Sequence, residues 1–163
     1  ISVTSLHLAR AYATLAADGI ARPVSVLKQD QPPVGTRVFT AATSRAVRTM
    51  LEGVVTADGT APRAAIRGYR VAGKTGTAKK TGVSGYSEDR YRAVFAGMVP
   101  ASRPRLVMVV AIDDPKAGEI YGGDVAGPGF SAVMNHALGV MGIPPDDLSA
   151  KQHARLAGLA VQQ

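Results

Sequence analysis

Three extended segments follow one another with no helix between them, near Tyr69 to Ala78, Arg92 to Val99 and Arg105 to Asp113. That succession narrows the folds open to the chain more than any other feature. The last two are joined by the turn-prone Pro100-Ala101-Ser102-Arg103-Pro104. Consecutive strands with short connections pair antiparallel, whereas parallel neighbours need a crossover helix. Helical patterns lie on both sides. Thr4 stands as an N-cap, with Leu8, Tyr12 and Leu15 at helical spacing and Gly19 as the stop. Pro23 to Lys28 reads as a short extended stretch. Thr40 opens a second helix, with Val47, Met50, Leu51, Val54 and Val55 on one stripe and Gly59 at its close. A third starts near Pro128, carries Phe130, Val133, Met134, Ala137, Leu138 and Met141 on one stripe, and ends at Gly142 and Pro144. The expected architecture is α+β, an antiparallel sheet flanked by helices.

Within the first of these strands, Lys74-Thr75-Gly76-Thr77 admits two chemistries. From Gly68 through Gly73 to Lys74 and Thr75 the spacing matches a phosphate-binding loop. The run Leu106 to Ile112 followed by Asp113 and Asp114 imitates the magnesium-holding strand of such nucleotide-binding proteins. A phosphate loop, however, wraps backbone N–H groups around an anion with small residues and then enters a helix. Here the middle positions are Tyr69-Arg70-Val71-Ala72, and Gly76, Gly82 and Gly85 follow the lysine, so a strand is expected instead. The second chemistry is the Lys-Thr-Gly element of the penicillin-recognising serine acyltransferases.

Composition bounds the remaining classes. The 163 residues are 46% hydrophobic, enough for the core of one domain or part of a larger one. The longest apolar run, Leu106 to Ile112, falls far short of the roughly 20 residues that span a bilayer. With no cysteine, and His7, His136 and His153 far apart, no metal or other cofactor is expected. The net charge is +7, and Arg63, Arg67, Arg70, Lys74, Lys79, Lys80, Arg90 and Arg92 cluster against only Glu88 and Asp89. Neither interleaved aromatics nor a basic recognition helix accompanies them, so no nucleic-acid partner is expected. A solvated basic face and attraction of an anionic substrate both remain open.

Ser2 to Ala16, Val71 to Ala78, Phe95-Ala96-Gly97 and Tyr121-Gly122-Gly123 together resemble the C-terminal half of the transpeptidase domain of class B penicillin-binding proteins. The likeness is to the division-specific enzymes of Gram-negative bacteria. It covers residues 1–148, leaving 149–163 as a tail that matches nothing. It implies the penicillin-binding-protein and serine β-lactamase-like fold, in part. The implied activity is serine acyl transfer that cross-links peptidoglycan stem peptides at the septum, with β-lactams as inhibitors. It also implies divisome membrane partners, reached through parts outside this chain, and a place at the periplasmic side of the inner membrane. A β-lactamase or a penicillin-sensing receptor of the same fold would share the motif.

The resemblance further implies roles for single residues. Lys74 places a positive charge among the site hydroxyls and tunes proton transfer, and Thr75 and Thr77 bind the substrate's terminal carboxylate. The Thr77 N–H helps form the oxyanion hole, and Gly76 lets the ligand approach the strand. Tyr86, in the loop after the motif, and Tyr121 with Gly122 fall where the family lines its pocket; for either tyrosine a surface or core position is the competing reading. The family's nucleophile, a Ser three residues before a Lys at a helix start, and its Ser-x-Asn element are not found here. Ser25-Val26-Leu27-Lys28 has the spacing, but its strand-like alternation sends Ser25 and Lys28 to opposite faces. The chain is therefore expected to be a piece of a longer enzyme and inactive alone. Asp113 is expected to cap its strand or pair with an arginine.

Overall fold

The computed structural model describes residues 3–31, 33–82, 85–116 and 118–148, and gives only the backbone for 81, 82 and 85–89. The tail at 149–163 lies outside the described residues. Helix α1 (Ser5–Ala16) starts where Thr4 Oγ1 accepts the His7 N–H at 3.2 Å. Helix α2 (Ala41–Glu52) starts likewise, with Thr40 Oγ1 accepting the Thr43 N–H at 3.0 Å. Between them β1 (Ile20–Ala21) pairs antiparallel with β2 (Thr36–Arg37). After a 3₁₀ turn at Pro62–Ala64 come β3 (Ala72–Gly82), β4 (Gly85–Val99) and β5 (Leu106–Asp113). They form one antiparallel sheet in the order β3-β4-β5. A short helix α3 (Gly122–Val125) leads into α4 (Gly127–Val140), with a proline in its first turn.

The alternation of side chains across the sheet gives it two apolar faces. Phe95 and Val99 face α4, where Phe130, Met134 and Leu138 cover them; the rings of Phe95 and Phe130 meet edge to face at 4.9 Å. Ala72 and Met98 face the other way, against Tyr12 and Leu15 of α1 and Leu51 of α2. The result is three layers, helix, sheet and helix, with the motif strand β3 at one margin of the sheet. Among the described residues, no helix is long and apolar enough to cross a membrane.

Several sequence expectations need correction. Pro23 to Lys28 joins no ladder; Ser25 instead closes a local turn, its Oγ accepting the Leu27 N–H and donating to the Leu27 carbonyl. Ser25 is thus at no helix start, as expected, although not for the expected reason. Helix α2 stops at Glu52, and Gly59 closes the turn beyond it, where a Cβ would lie 2.3 Å from the Val54 carbonyl oxygen. Met50, Val133 and Met141, placed on apolar stripes, are exposed. On α2 Arg48 is buried, its Nη1 donating to the Leu15 carbonyl at 2.7 Å and to Asp18 Oδ1 at 2.8 Å. A guanidinium so enclosed needs such partners, and here they tie the end of α1 to α2. The β3-β4 hairpin also runs far beyond its expected ends, from Ala72 opposite Met98 to Gly82 opposite Gly85, with one register shift between Lys79 and Thr81.

Candidate active site on the free margin of β3

Lys74, Thr75, Gly76 and Thr77 all lie inside β3, paired in order with Ala96, Phe95, Val94 and Ala93 of β4. Strand continues after the lysine to Gly82, so no helix N-terminus follows it and the phosphate-binding-loop reading fails. The strand is seated by Gly73, where a Cβ would stand 2.4 Å from the Phe95 ring. Among the described residues β3 has a ladder partner on one side only, so its other margin offers backbone N–H and C=O groups for an added strand. At Gly76 an added Cβ would meet nothing closer than Val94 Cβ at 3.8 Å. The space over that residue is open.

Two threonines stand on the face that Phe95 shares. Thr77 Oγ1 accepts the Gly122 N–H at 3.2 Å. Thr75 Oγ1 lies 3.1 Å from Thr60 Oγ1 and accepts from Lys74 Nζ at 3.2 Å, while the same ammonium reaches the Thr75 carbonyl at 3.2 Å. Lys74 is exposed. The start of α3 comes this close because it carries two glycines. A Cβ on Gly122 would lie 2.2 Å from the Val94 carbonyl oxygen, and one on Gly123 1.9 Å from that of Thr60. Tyr121, 62% exposed, immediately precedes the residue bound to Thr77. The structure therefore brings Lys74, Thr75, Gly76, Thr77 and Gly122 together, with Tyr121 next to them only as the chain neighbour of Gly122. Tyr86 sits in β4 opposite Thr81, not in a loop, and its side chain lies outside the described residues. Sequence reasoning misses Thr60, since a lone hydroxyl carries no signal until the loop folds against β3, and Gly123 enters it only as part of the Tyr121-Gly122-Gly123 match, without a role.

The basic cluster is largely consumed locally. Arg70 forks onto Glu52 through Nε and Nη2, each at 2.8 Å. Lys80 and Arg92 both bind Asp113, whose hydrogen bonds from Lys80 first and Arg92 second hold its carboxyl below the usual range. Asp113 is thus an exposed ion-pair partner, as expected. Lys116, then Arg90, does the same for Asp114. Among the described residues, no group of three or more His, Asp or Glu side chains could hold a metal ion.

A helix-flanked antiparallel sheet with a Lys-Thr-Gly-Thr strand on its free margin defines the class of penicillin-recognising acyltransferases. The profile of the penicillin binding protein transpeptidase domain matches residues 1–135, and the chain belongs to that family. It is 49% identical over 149 residues to peptidoglycan D,D-transpeptidase FtsI of Escherichia coli K12, covering 91% of this chain and 25% of that protein. It is 41% identical over 145 residues to the probable peptidoglycan D,D-transpeptidase PenA of Neisseria meningitidis, covering 89% and 25%. Its fold superposes on the apo transpeptidase domain of Burkholderia pseudomallei penicillin-binding protein 3 with a TM-score of 0.82 and 49% identity, covering 88% of this chain and 44% of that one. The chain thus spans about a quarter of the length of these curated relatives.

Proposed function

We propose that this chain supplies the substrate-binding strand of a peptidoglycan D,D-transpeptidase whose nucleophile lies in a part of the protein outside it. The observation that carries the reading is the free margin of β3, with Lys74, Thr75 and Thr77 gathered beside it. An extended stem peptide ending in D-Ala-D-Ala, or a β-lactam in its place, adds to that margin like a further strand, over the open space at Gly76. Its terminal carboxylate accepts from the Thr75 and Thr77 hydroxyls, each of which already accepts one hydrogen bond, from Lys74 Nζ and from the Gly122 N–H, and keeps its own proton to donate. A serine Oγ from outside the chain attacks the penultimate carbonyl and D-Ala leaves. The developing oxyanion is held by the Thr77 N–H together with that of the serine, a contribution of roughly 3–4 kcal/mol per donor. Lys74 stabilises the anionic centre and keeps the serine's proton mobile. A second chain's amine then takes the acyl group, which forms the cross-link.

The similarity to FtsI supports a septal role, and through it divisome membrane partners and a periplasmic position at the inner membrane. Similarity at 41–49% identity to proteins named transpeptidases favours cross-linking over penicillin hydrolysis or sensing.

The test is a pair of measurements. The longer protein that carries this segment should be acylated by a fluorescent penicillin, while the 163-residue chain alone should take up no label, Ser25 included. Magnesium-ATP should leave the melting temperature of the longer protein unchanged. Labelling of the isolated chain, or stabilisation by nucleotide without penicillin reactivity, contradicts the reading.

A further inference from the structure

From the loop between α2 and the 3₁₀ turn, we infer that Thr60 is a positioning residue for carboxylate recognition, acting through Thr75; this rests on the transpeptidase reading above. The Thr75 hydroxyl has two lone pairs and one proton. Lys74 Nζ donates to one lone pair at 3.2 Å. If the Thr60 hydroxyl, 3.1 Å away, donates to the other, the Thr75 proton has no acceptor left inside this group and points to the ligand's carboxylate. With Thr60 lost, that proton is free to rotate and the hydroxyl's orientation is no longer fixed before binding. Preorganised donors matter more than donors that must reorient, because the cost of alignment is then not incurred at the moment of reaction.

The loop is built to hold Thr60 still. Its neighbour Ala61 is fully buried, and the Ala61 N–H donates to the Val54 carbonyl at 2.8 Å. On the other side the Gly59 N–H donates to the Thr56 carbonyl at 3.0 Å, in a turn too tight for a Cβ at position 59. The Thr60 carbonyl is packed under Gly123, where only glycine fits. The Thr60 side chain nonetheless stays exposed on the side of the motif. An exposed hydroxyl on an immobilised backbone, aimed at a motif threonine 15 positions away, is placed by the fold rather than by its own burial.

The experiment uses the longer protein and its second-order acylation rate with a fluorescent penicillin bearing a free carboxylate. Thr60→Val, nearly the same shape without the donor, should slow acylation about tenfold, the loss expected of one hydrogen bond to a charged or polarised group. Thr60→Ser should restore the rate to within about twofold. Thr75→Val should slow acylation more than Thr60→Val, and adding Thr60→Val to Thr75→Val should change nothing further, because the two act in series. The Thr60→Val loss should also be much smaller for the penicillin methyl ester, whose carbonyl is a weaker, uncharged acceptor, a result that general damage to the fold would not give. Additive losses in the double variant, an equal loss with the ester, or no rescue by serine would each overturn the positioning role while leaving the transpeptidase reading intact. A wild-type protein that takes up no penicillin would overturn both.

Discussion

Replacing Lys74 by alanine in the longer protein should lower its acylation rate by penicillin about 10²-fold or more, while leaving its unfolding curve in place. That factor is about 2.7 kcal/mol of barrier, the usual worth of one acid-base or electrostatic group. Two features separate the function of this side chain from the fold. It is exposed, so its loss opens no cavity, and among the described residues its hydrogen bonds reach only a hydroxyl and a carbonyl of the adjoining Thr75. Arginine should not substitute, since a planar fork cannot occupy the place of a compact ammonium beside Thr75 Oγ1. The check is a stopped-flow acylation rate beside a thermal melt. A rate within threefold of wild type with an intact melt would remove Lys74 from the chemistry.

Phe130→Ala should do the reverse. Phe130 is fully buried, meets Phe95 edge to face, and lies 3.0 Å from where a Cβ on Gly97 would stand. Truncating such a side chain typically costs 3–5 kcal/mol, from lost transfer energy and the cavity left behind. The site stands on this contact indirectly, because Gly73 crosses the Phe95 ring just before Lys74. Under conditions where the variant remains folded, its acylation rate should fall far less than that of Lys74→Ala. Denaturant titration of the longer protein reads the first quantity, as a lower midpoint at unchanged slope for the transition that includes this domain. A loss below about 1 kcal/mol would mean that α4 does not hold the sheet as described.

What is legible in the sequence is what local chemistry encodes. The caps Thr4 and Thr40 mark the starts of α1 and α2 because a side-chain oxygen there satisfies a helix N–H. The antiparallel order of β3, β4 and β5 follows from connections too short for a crossover. The strand assignment of Lys74 to Thr77 follows from bulky neighbours unfit for a phosphate loop. Other features depend on contacts that no local pattern announces. The outer arms of the β3-β4 hairpin are polar and glycine-bearing in sequence, so no apolar alternation announces the ladder that runs out to Gly82 opposite Gly85. Helix α3 has four residues, two of them glycine, so it shows neither periodicity nor propensity. Arg48 reads as a surface cation until Asp18, 30 positions away, is folded against it. Conversely Met50, Val133 and Met141 fit apolar stripes and are exposed, since the stripe records which residues are apolar and not where neighbouring elements end. Thr60 belongs with the long-range cases, as does the seat that Gly122 and Gly123 give to Thr77.

The central claim is that the margin of β3 receives the acyl donor, and the structure of the longer protein with penicillin bound covalently tests it most directly. The account predicts that the ligand's carboxylate lies within hydrogen-bond distance, about 2.7–3.2 Å, of the Thr75 and Thr77 hydroxyls. It also predicts the acyl carbonyl oxygen on the Thr77 N–H, with the ligand running along β3 over Gly76. A penicilloyl group attached elsewhere, or one whose carboxylate and carbonyl contact neither threonine, would contradict it.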